Sequence, residues 1–563
     1  MIEKHIHTYR ALLRSSGDIY LRTLEGSHAA MESNLHQQAD SEEVDMAAFF
    51  YSVMRLPNGI DRVKRVVVGQ NEEAFWKNGF DNIFHWQPVS ARARQRLMLF
   101  DGKETLAMFV NSVSDIDDLM PSLTAFQMEW NKIHARLAET TLRNDLVGGT
   151  VKAETVKDEL KKALGLSTDD WGLLHRVWGE CWNEKIAAVA LGPKNIRVKL
   201  LACGFSDYMR AVQNWWNELI RRFEETLIEF RPVYFVSSNM HSMANVFSGF
   251  ATRHCESILA HVLENDKKEL QWRLQLLEAD EGEGSRENFL YYGMRDYVEE
   301  KKEQAVMRAM EKEVGILRYE HSPFLDIYAQ IIDLRKLQPE RMDTRLSCKD
   351  LEMLKHSRGL ILNVNYPLGL AAYHLLSQVV SSVRELRGIY IMGKVATLSG
   401  RPGDIMIPNE VYDTHSRNVF FFKNCFSVKH IAKYLRESAV FDNQKSVTVL
   451  GTFLHNQKMM GSFHMDGYDE IEMEAGPYLC AIYEDLYPER YPLKTSINLQ
   501  VDDAYDIGIL HYVSDTPYSK RKSLLSDRLG FTGIEATYAC TIAILRRIFE
   551  REIQQVQEEQ KDG

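Results

Sequence analysis

Apolar residues recur at helical spacing over residues 1–45, where Tyr9, Leu12 and Leu13 are followed by Ile19, Leu21 and Leu24, and this spacing predicts helices. The pattern then shortens. Residues 66–68 and 97–100 are apolar runs of strand length, Asp101-Gly102-Lys103 is a turn signal, and residues 106–113 read as the return strand of a hairpin. Residues 118–230 are predicted to be mostly helical. Trp171, Val177, Trp178 and Trp182, then Trp215, Leu219 and Phe223, form stripes of the kind that fill cores. Residues 232–236 read as a buried strand running into the polar loop Ser237-Ser238-Asn239. Helix returns over 255–274. The acidic, glycine-bearing stretch 278–288 reads as a linker before a charged helix at 296–314. Beyond it, strand-like runs at 360–364, 389–392, 447–450 and 509–513 alternate with helical stretches, which implies an α/β sheet with helices on its faces. The charged tail, 550–563, reads as a helix fraying into solvent.

The expected organisation is a large helix-rich α+β region over 1–285 and connecting helices with a linker over 286–345. An α/β domain over 346–563 follows, with a central mixed sheet flanked by helices. A chain of 563 residues has room for two or three domains at roughly 100–200 residues each.

Composition narrows the function classes. Hydrophobic residues at 45% and charged residues at 26% describe an ordinary globular chain. A net charge of −11 argues against polymeric nucleic acid as a partner. Of the seven cysteines no two lie within four residues, which excludes CxxC zinc or redox pairs and reads as reduced, mostly buried thiols. No apolar run is long enough to span a bilayer, and the first residues lack the apolar core of a secretory signal. The expectation is a cytoplasmic protein with no membrane partner. There is no HExxH, P-loop or GxGxxG and no His/Cys ligand spacing, so neither a metal nor a bound cofactor is expected. Asp115, Asp117 and Asp118 resemble a metal-carboxylate cluster only superficially and read as a solvated loop.

Four signals follow in order along the C-terminal part. Gly388 to Met392 is a strand, which ends in Gly393-Lys394-Val395-Ala396-Thr397-Leu398. Gly403-Asp404-Ile405-Met406-Ile407-Pro408 is a turn entering a short apolar strand. Glu470-Ile471-Glu472-Met473-Glu474-Ala475 opens a helix, and Tyr512-Val513-Ser514-Asp515-Thr516-Pro517 is a strand ending in Ser-Asp. In this order the four motifs resemble the nucleoside phosphorylase and nucleosidase superfamily, over about residues 345–550.

The resemblance implies roles residue by residue. Glu474 would hold the ribose hydroxyls, Met473 would pack under the sugar, and Asp515, with Ser514 beside it, would donate a proton to purine N7. Gly393 to Thr397 would help form the anion or nucleophile pocket, and Phe463 stands where the family places a base-stacking aromatic. The chemistry is consistent with general principles. An acid at N7 neutralises the leaving base, a form of help typically worth about 10²–10⁴-fold. A carboxylate at the 2′ and 3′ hydroxyls orients the sugar and favours positive charge beside it.

The residues alone leave alternatives open. Glu472 and Glu474, two apart on a helix, do not face one site together, so one is expected to be solvated or capping. Asp515 before Thr-Pro also fits a turn or cap. Lys394 stands where the family has a small hydroxyl residue and reads either as an anion-binding point charge or as a solvated lysine. Arg401, Lys520 and Arg521 are candidates for a nucleotide 5′-phosphate or, equally, solvated loop positions, and Phe463 reads equally as core. The family's arginine just before the glycine turn is absent, since Ile391 and Met392 stand there. The expected function is cleavage of the N-glycosidic bond of a purine nucleoside or nucleotide, by water or with inorganic phosphate as co-substrate. The alternative is a nucleotide-sensing module, catalytically weak or inactive, that signals through the N-terminal half. The expected partner is a small-molecule nucleoside or nucleotide, and the superfamily's habit implies a homo-oligomer. Residues 1–285 carry no motif; sensing, oligomerisation and covering the C-terminal site are the roles open to them.

Overall fold

Four runs rich in β-branched and aliphatic residues lie side by side and parallel: Leu360–Asn365, Pro232–Ser238, Glu385–Thr397 and Asp506–Asp515. Strands covered on both faces carry such near-continuous apolar runs, and here helices cover both. Phe531–Asp562 packs on one face, and Leu370–Ser382, Ala475–Leu486 and Phe205–Arg222 pack on the other. The computed structural model describes all residues except 16, 150, 151, 202, 203, 265–269, 272, 273, 276–284, 488–492, 500–504, 516–530 and 563, and except the side chains of 154, 285, 515, 531, 532 and 562.

These strands belong to an 11-stranded mixed sheet. Within it, Glu385–Thr397, Glu470–Glu472, Val440–Thr448, Ile405–Asp413 and Asp506–Asp515 pair in succession, and the last pairs again with the first. That closes a small ring and removes its edges. The α/β class and the mixed sheet flanked by helices are as expected. The sheet nevertheless draws on chain before the expected break. Pro232–Ser238 is an inner strand, and Ile316–Tyr319 with Ala329–Asp333, expected as linker, form the far edge.

The N-terminal part has a six-stranded sheet in the order Ile19–Tyr20, Arg197–Leu200, Arg65–Gly69, Thr105–Phe109, Met98–Phe100, Gln87–Val89. The hairpin around Asp101-Gly102-Lys103 is found, whereas the strand Arg197–Leu200 interrupts a stretch expected to be helical. Met46–Arg55, Val113–Ala138 and Thr168–Trp178 build the adjoining core. The two sheets interlock. Phe453, from the C-terminal part, is buried in the N-terminal core with its ring centroid 5.2 Å from that of Tyr51, and Leu370 N donates to Ser114 Oγ over 2.9 Å.

The tail does not fray as expected. Phe531–Asp562 stays packed near its end, where Ile553 and Val556 are buried and Glu552 is wholly buried. The Glu552 carboxylate accepts from Ser357 Oγ (2.6 Å), Gly359 N (3.1 Å), Tyr234 Oη (2.8 Å) and Arg387 (2.7 Å), so its burial is compensated. The thiols also differ from expectation: among the described cysteines only Cys540 is fully buried. Glu552→Ala removes the buried acceptor shared by Ser357, Gly359, Tyr234 and Arg387, of which Arg387 alone keeps another carboxylate, Glu385, and is expected to destabilise the fold by about 3–5 kcal/mol, read as a lower denaturant midpoint.

Candidate functional site

Parallel strands bring their carboxyl ends to one edge, where open α/β sheets hold ligands. Here that edge faces the N-terminal sheet across a cavity of about 1220 Å³. Gly393, Lys394, Glu472, Met473, Glu474 and Ser514, all singled out in the sequence, line it.

The Glu472–Ala475 turn is set by one carboxylate. Glu470–Glu472 is a strand rather than helix, and the helix begins at Ala475 with Glu474 at its cap position. Glu472 Oε2 accepts from Glu474 N and Ala475 N, each over 2.6 Å, and Thr448 Oγ1 donates to Glu472 Oε1. The two carboxylates stand at a strand end rather than on a helix, and one of them caps, as expected. Glu472 caps the helix and Glu474 faces the cavity beside it. Burial, then the neighbouring Glu472, pushes the Glu474 carboxyl up to about 8 against the pull of Arg94 and His511. Behind this wall His511 Nδ1 and Glu470 Oε2 share a 2.7 Å hydrogen bond, both side chains buried. Burial lowers the His511 pKa, but the Glu470 hydrogen bond and charge prevail and raise it.

Other expected site residues are placed differently. Thr397 does not reach the cavity: it is fully buried, and its hydroxyl accepts from Ser399 N and Gly400 N to hold the turn. Phe463 packs against Tyr412 and Tyr468, with ring centroids 5.3 and 5.9 Å away, in a small core that also takes in Met473. Arg401 is exposed, and its backbone closes a turn with Asp404: its N–H donates to Asp404 Oδ2 and its carbonyl accepts from Asp404 N. Asp515 ends its strand opposite Ala396, a cavity residue, while its side chain lies outside the described residues, as do Lys520 and Arg521.

The opposite wall comes from the N-terminal part and had no motif to mark it. Asp115, Asp117 and Asp118, expected in a solvated loop, are buried in the first turns of Val113–Ala138. Each is paired there: Asp115 with Arg96 (2.7 Å), Asp118 with Arg94 (2.7 Å) and Arg96 (3.3 Å), and Asp117 with Arg10 and Tyr9 Oη (2.6 Å for the latter). Burial acts to raise the Asp118 pKa, and Arg94 with Arg96 outweighs it, holding the group below its usual value. Arg92, Arg94 and Arg96 line the cavity together with Arg55, and the alternating arginines of Ala91-Arg92-Ala93-Arg94-Gln95-Arg96 are the signal that could have revealed this wall. Among the described residues no group of His, Cys, Asp and Glu could hold a metal ion, and no helix is long and apolar enough to cross a membrane.

A family model matches residues 21–550, and its description is a family of unknown function, DUF6909. The chain belongs to this family. No curated protein matches it. Among solved structures it is similar to the 5′-methylthioadenosine/S-adenosylhomocysteine nucleosidase of Neisseria meningitidis, at 13% identity over 44% of this chain and 95% of that one, with a TM-score of 0.29. It is also similar to the S-adenosylhomocysteine nucleosidase of Streptococcus pyogenes, at 8% identity over 57% and 97%, with a TM-score of 0.30. A methylthioadenosine phosphorylase from an antarctic soil metagenomic library matches at 12% identity over 41% and 78%, with a TM-score of 0.26. TM-scores this low carry no argument about what DUF6909 proteins do.

Glu474 gives the site a pH signature. Its pKa is raised in the folded state, so its contribution to stability is fully present below the unfolded value near 4.5 and is lost as pH rises through about 8. Glu474→Gln removes that dependence. The variant is expected to gain on the parent, by on the order of a few kcal/mol, as unfolding is measured from pH 5 to pH 9.

Proposed function

We propose that the chain cleaves the N-glycosidic bond of a purine nucleoside or nucleotide. The observation that carries this reading is convergence: Gly393 to Ala396, Met473 with Glu474, and Ser514 come from three separate motifs and line one cavity. In this reading the C1′–N9 bond breaks with its electron pair leaving on the base, which takes the Asp515 proton at N7. Water adds to C1′ and passes a proton to the Asp515 carboxylate, restoring the acid. With inorganic phosphate as nucleophile the sugar leaves as its 1-phosphate. Glu474 accepts hydrogen bonds from the ribose hydroxyls. Those bonds favour its carboxylate form, so binding at neutral pH expels its proton to solvent. Met473 supplies apolar contact beneath the sugar.

The sensing alternative is favoured by one observation: the N-terminal part contributes a whole wall of the cavity, so occupancy bears on both halves at once. One experiment separates the readings. Purine nucleosides and their 5′-monophosphates are incubated with the full chain, with and without phosphate, and free base is measured by chromatography. Base release is expected, and Asp515→Asn is expected to lower it by about 10²–10⁴-fold while the protein stays folded. Binding with no base released from any mixture would leave the sensor.

A further inference from the structure

The cavity is larger than one nucleoside needs. Small-molecule clefts usually measure roughly 300–1,000 Å³, against about 1220 Å³ here. Its length follows from the order of the strands. Ala396 pairs with Asp515 on one side and with Ile471 on the other, so Glu470–Glu472 and the Glu474 that follows it lie away from the end of Asp506–Asp515. On that same side come Pro232–Ser238, then Leu360–Asn365, then the antiparallel Ala329–Asp333. The start of this last strand lies beside the end of Leu360–Asn365, where Asn365 N donates to Tyr328 O over 3.0 Å. Four strand spacings, roughly 19 Å, therefore separate the Ser514 end of the cavity from the segment that carries Asp326. A base at Asp515 with its ribose at Glu474 fills the first part of this row and leaves the second part empty.

The second part is built with the N-terminal sheet. Arg65–Gly69 and Thr105–Phe109 run parallel and lead into Gln70 and Asn111, both on the cavity. Asp326 is stitched to these strand ends. Leu97 N donates to Asp326 Oδ2 (2.7 Å), Leu97 O accepts from Phe109 N (3.0 Å), and the Asn111 amide bonds Asp326 N (3.1 Å) and Asp326 O (3.3 Å).

Two polar atoms remain over. Gln70 is 4% exposed, and its Nε2 has no hydrogen-bond partner among the described residues. Asp326 Oδ1 accepts no hydrogen bond from them; Arg96 and His321 temper the charge of this carboxyl without bonding to it. Beside these atoms is an aromatic face. Phe84 lines the cavity while 47% exposed, its ring centroid 6.0 Å from that of Phe109. An open aromatic face with a free donor and a free acceptor is the means by which proteins hold nucleobases and similar flat rings.

We propose that Phe84, Gln70 and Asp326 hold a second flat ring, one that carries a hydrogen-bond acceptor beside a donor, so that the ligand is a dinucleotide rather than a single nucleoside. Phe84 packs on the ring face, Gln70 Nε2 donates to the ring's acceptor, and Asp326 Oδ1 accepts from its donor. The placing of the first base rests on the glycosidic reading; the second ring site does not.

The test is calorimetric binding to the full chain of diadenosine diphosphate, NAD and ADP-ribose, with base release from these and from purine nucleosides followed by chromatography. ADP-ribose carries the same sugars and phosphates as NAD and lacks the second ring. At least one dinucleotide is expected to bind about ten-fold tighter than ADP-ribose. That preference should fall toward unity in Phe84→Ala, whose half-exposed site leaves the fold intact. It should also fall in Gln70→Met, which keeps the shape and loses the donor, and in Asp326→Asn, which keeps an oxygen for Leu97 N and turns the free acceptor into a donor.

Equal affinity for ADP-ribose and both dinucleotides would overturn the proposal, as would no binding of either dinucleotide or a preference that survives in all three variants. A dinucleotide preference with no base released from any mixture would support the second ring site and end the glycosidic reading. Base release from nucleosides with no preference for a dinucleotide would do the opposite.

Discussion

A carboxylate removed from water must be hydrogen-bonded or paired, and in this protein that requirement positions the site. Glu472 is the point on which the strand-end wall depends. Its two oxygens are taken up by the N–H groups of Glu474 and Ala475 and by the Thr448 hydroxyl. Those bonds stop the strand Glu470–Glu472, start the helix Ala475–Leu486 and turn Met473 and Glu474 toward the cavity. The residue expected to be the spare carboxylate is the one that aims its neighbour.

The same rule builds the facing wall. Three aspartates in the first turns of Val113–Ala138 enjoy the favourable field of a helix N-terminus, and they also hold Arg10, Arg94 and Arg96 in place. Buried pairs of this kind contribute little net stability, because desolvation offsets attraction. Their value is geometric: the arginines arrive at the cavity with few rotamers left to lose. The wall from the N-terminal part thus brings the positive charge of Arg94 and Arg96 to the strand-end cavity.

The strand-end half of the site was legible because its residues stand at strand ends, where a sheet's parallel order gives position along the chain a spatial meaning. Leu360–Asn365, Glu385–Thr397 and Asp506–Asp515 could be read as apolar runs, and Gly393 and Ser514 lie toward the ends of the last two, whereas Glu474, after the short strand Glu470–Glu472, was marked by the motif order alone. The N-terminal wall was not legible. Arg94 and Arg96 are held by aspartates about 20 positions away, and their place on the cavity wall depends on how the two parts pack, which no local spacing encodes. Thr397 was misread, and Phe463 stayed open between base contact and core, for a related reason: a hydroxyl that holds a turn and an aromatic that fills a small core look the same in sequence as ligand contacts. The tail was misread because Glu552, a charged residue in a charged run, is satisfied by partners some 165 to 318 positions away.

Two unfavourable features meet at the cavity, in contrast to the buried carboxylate under the C-terminal helix. Glu552, far from it, is buried with every requirement met. At the cavity the Glu474 carboxyl is pushed up to about 8. Tyr366, which also lines it, holds a φ of 36°, a region that disfavours a side chain of that size. Each of these costs stability, and a fold selected for stability alone would remove them by single substitutions. They stand together where the strand ends meet the basic wall, and a ligand that ionises Glu474 would reverse one of the two costs on binding. Strain and unmet charge gathered in this way belong to recognition, because binding energy is greatest where the free protein is least satisfied.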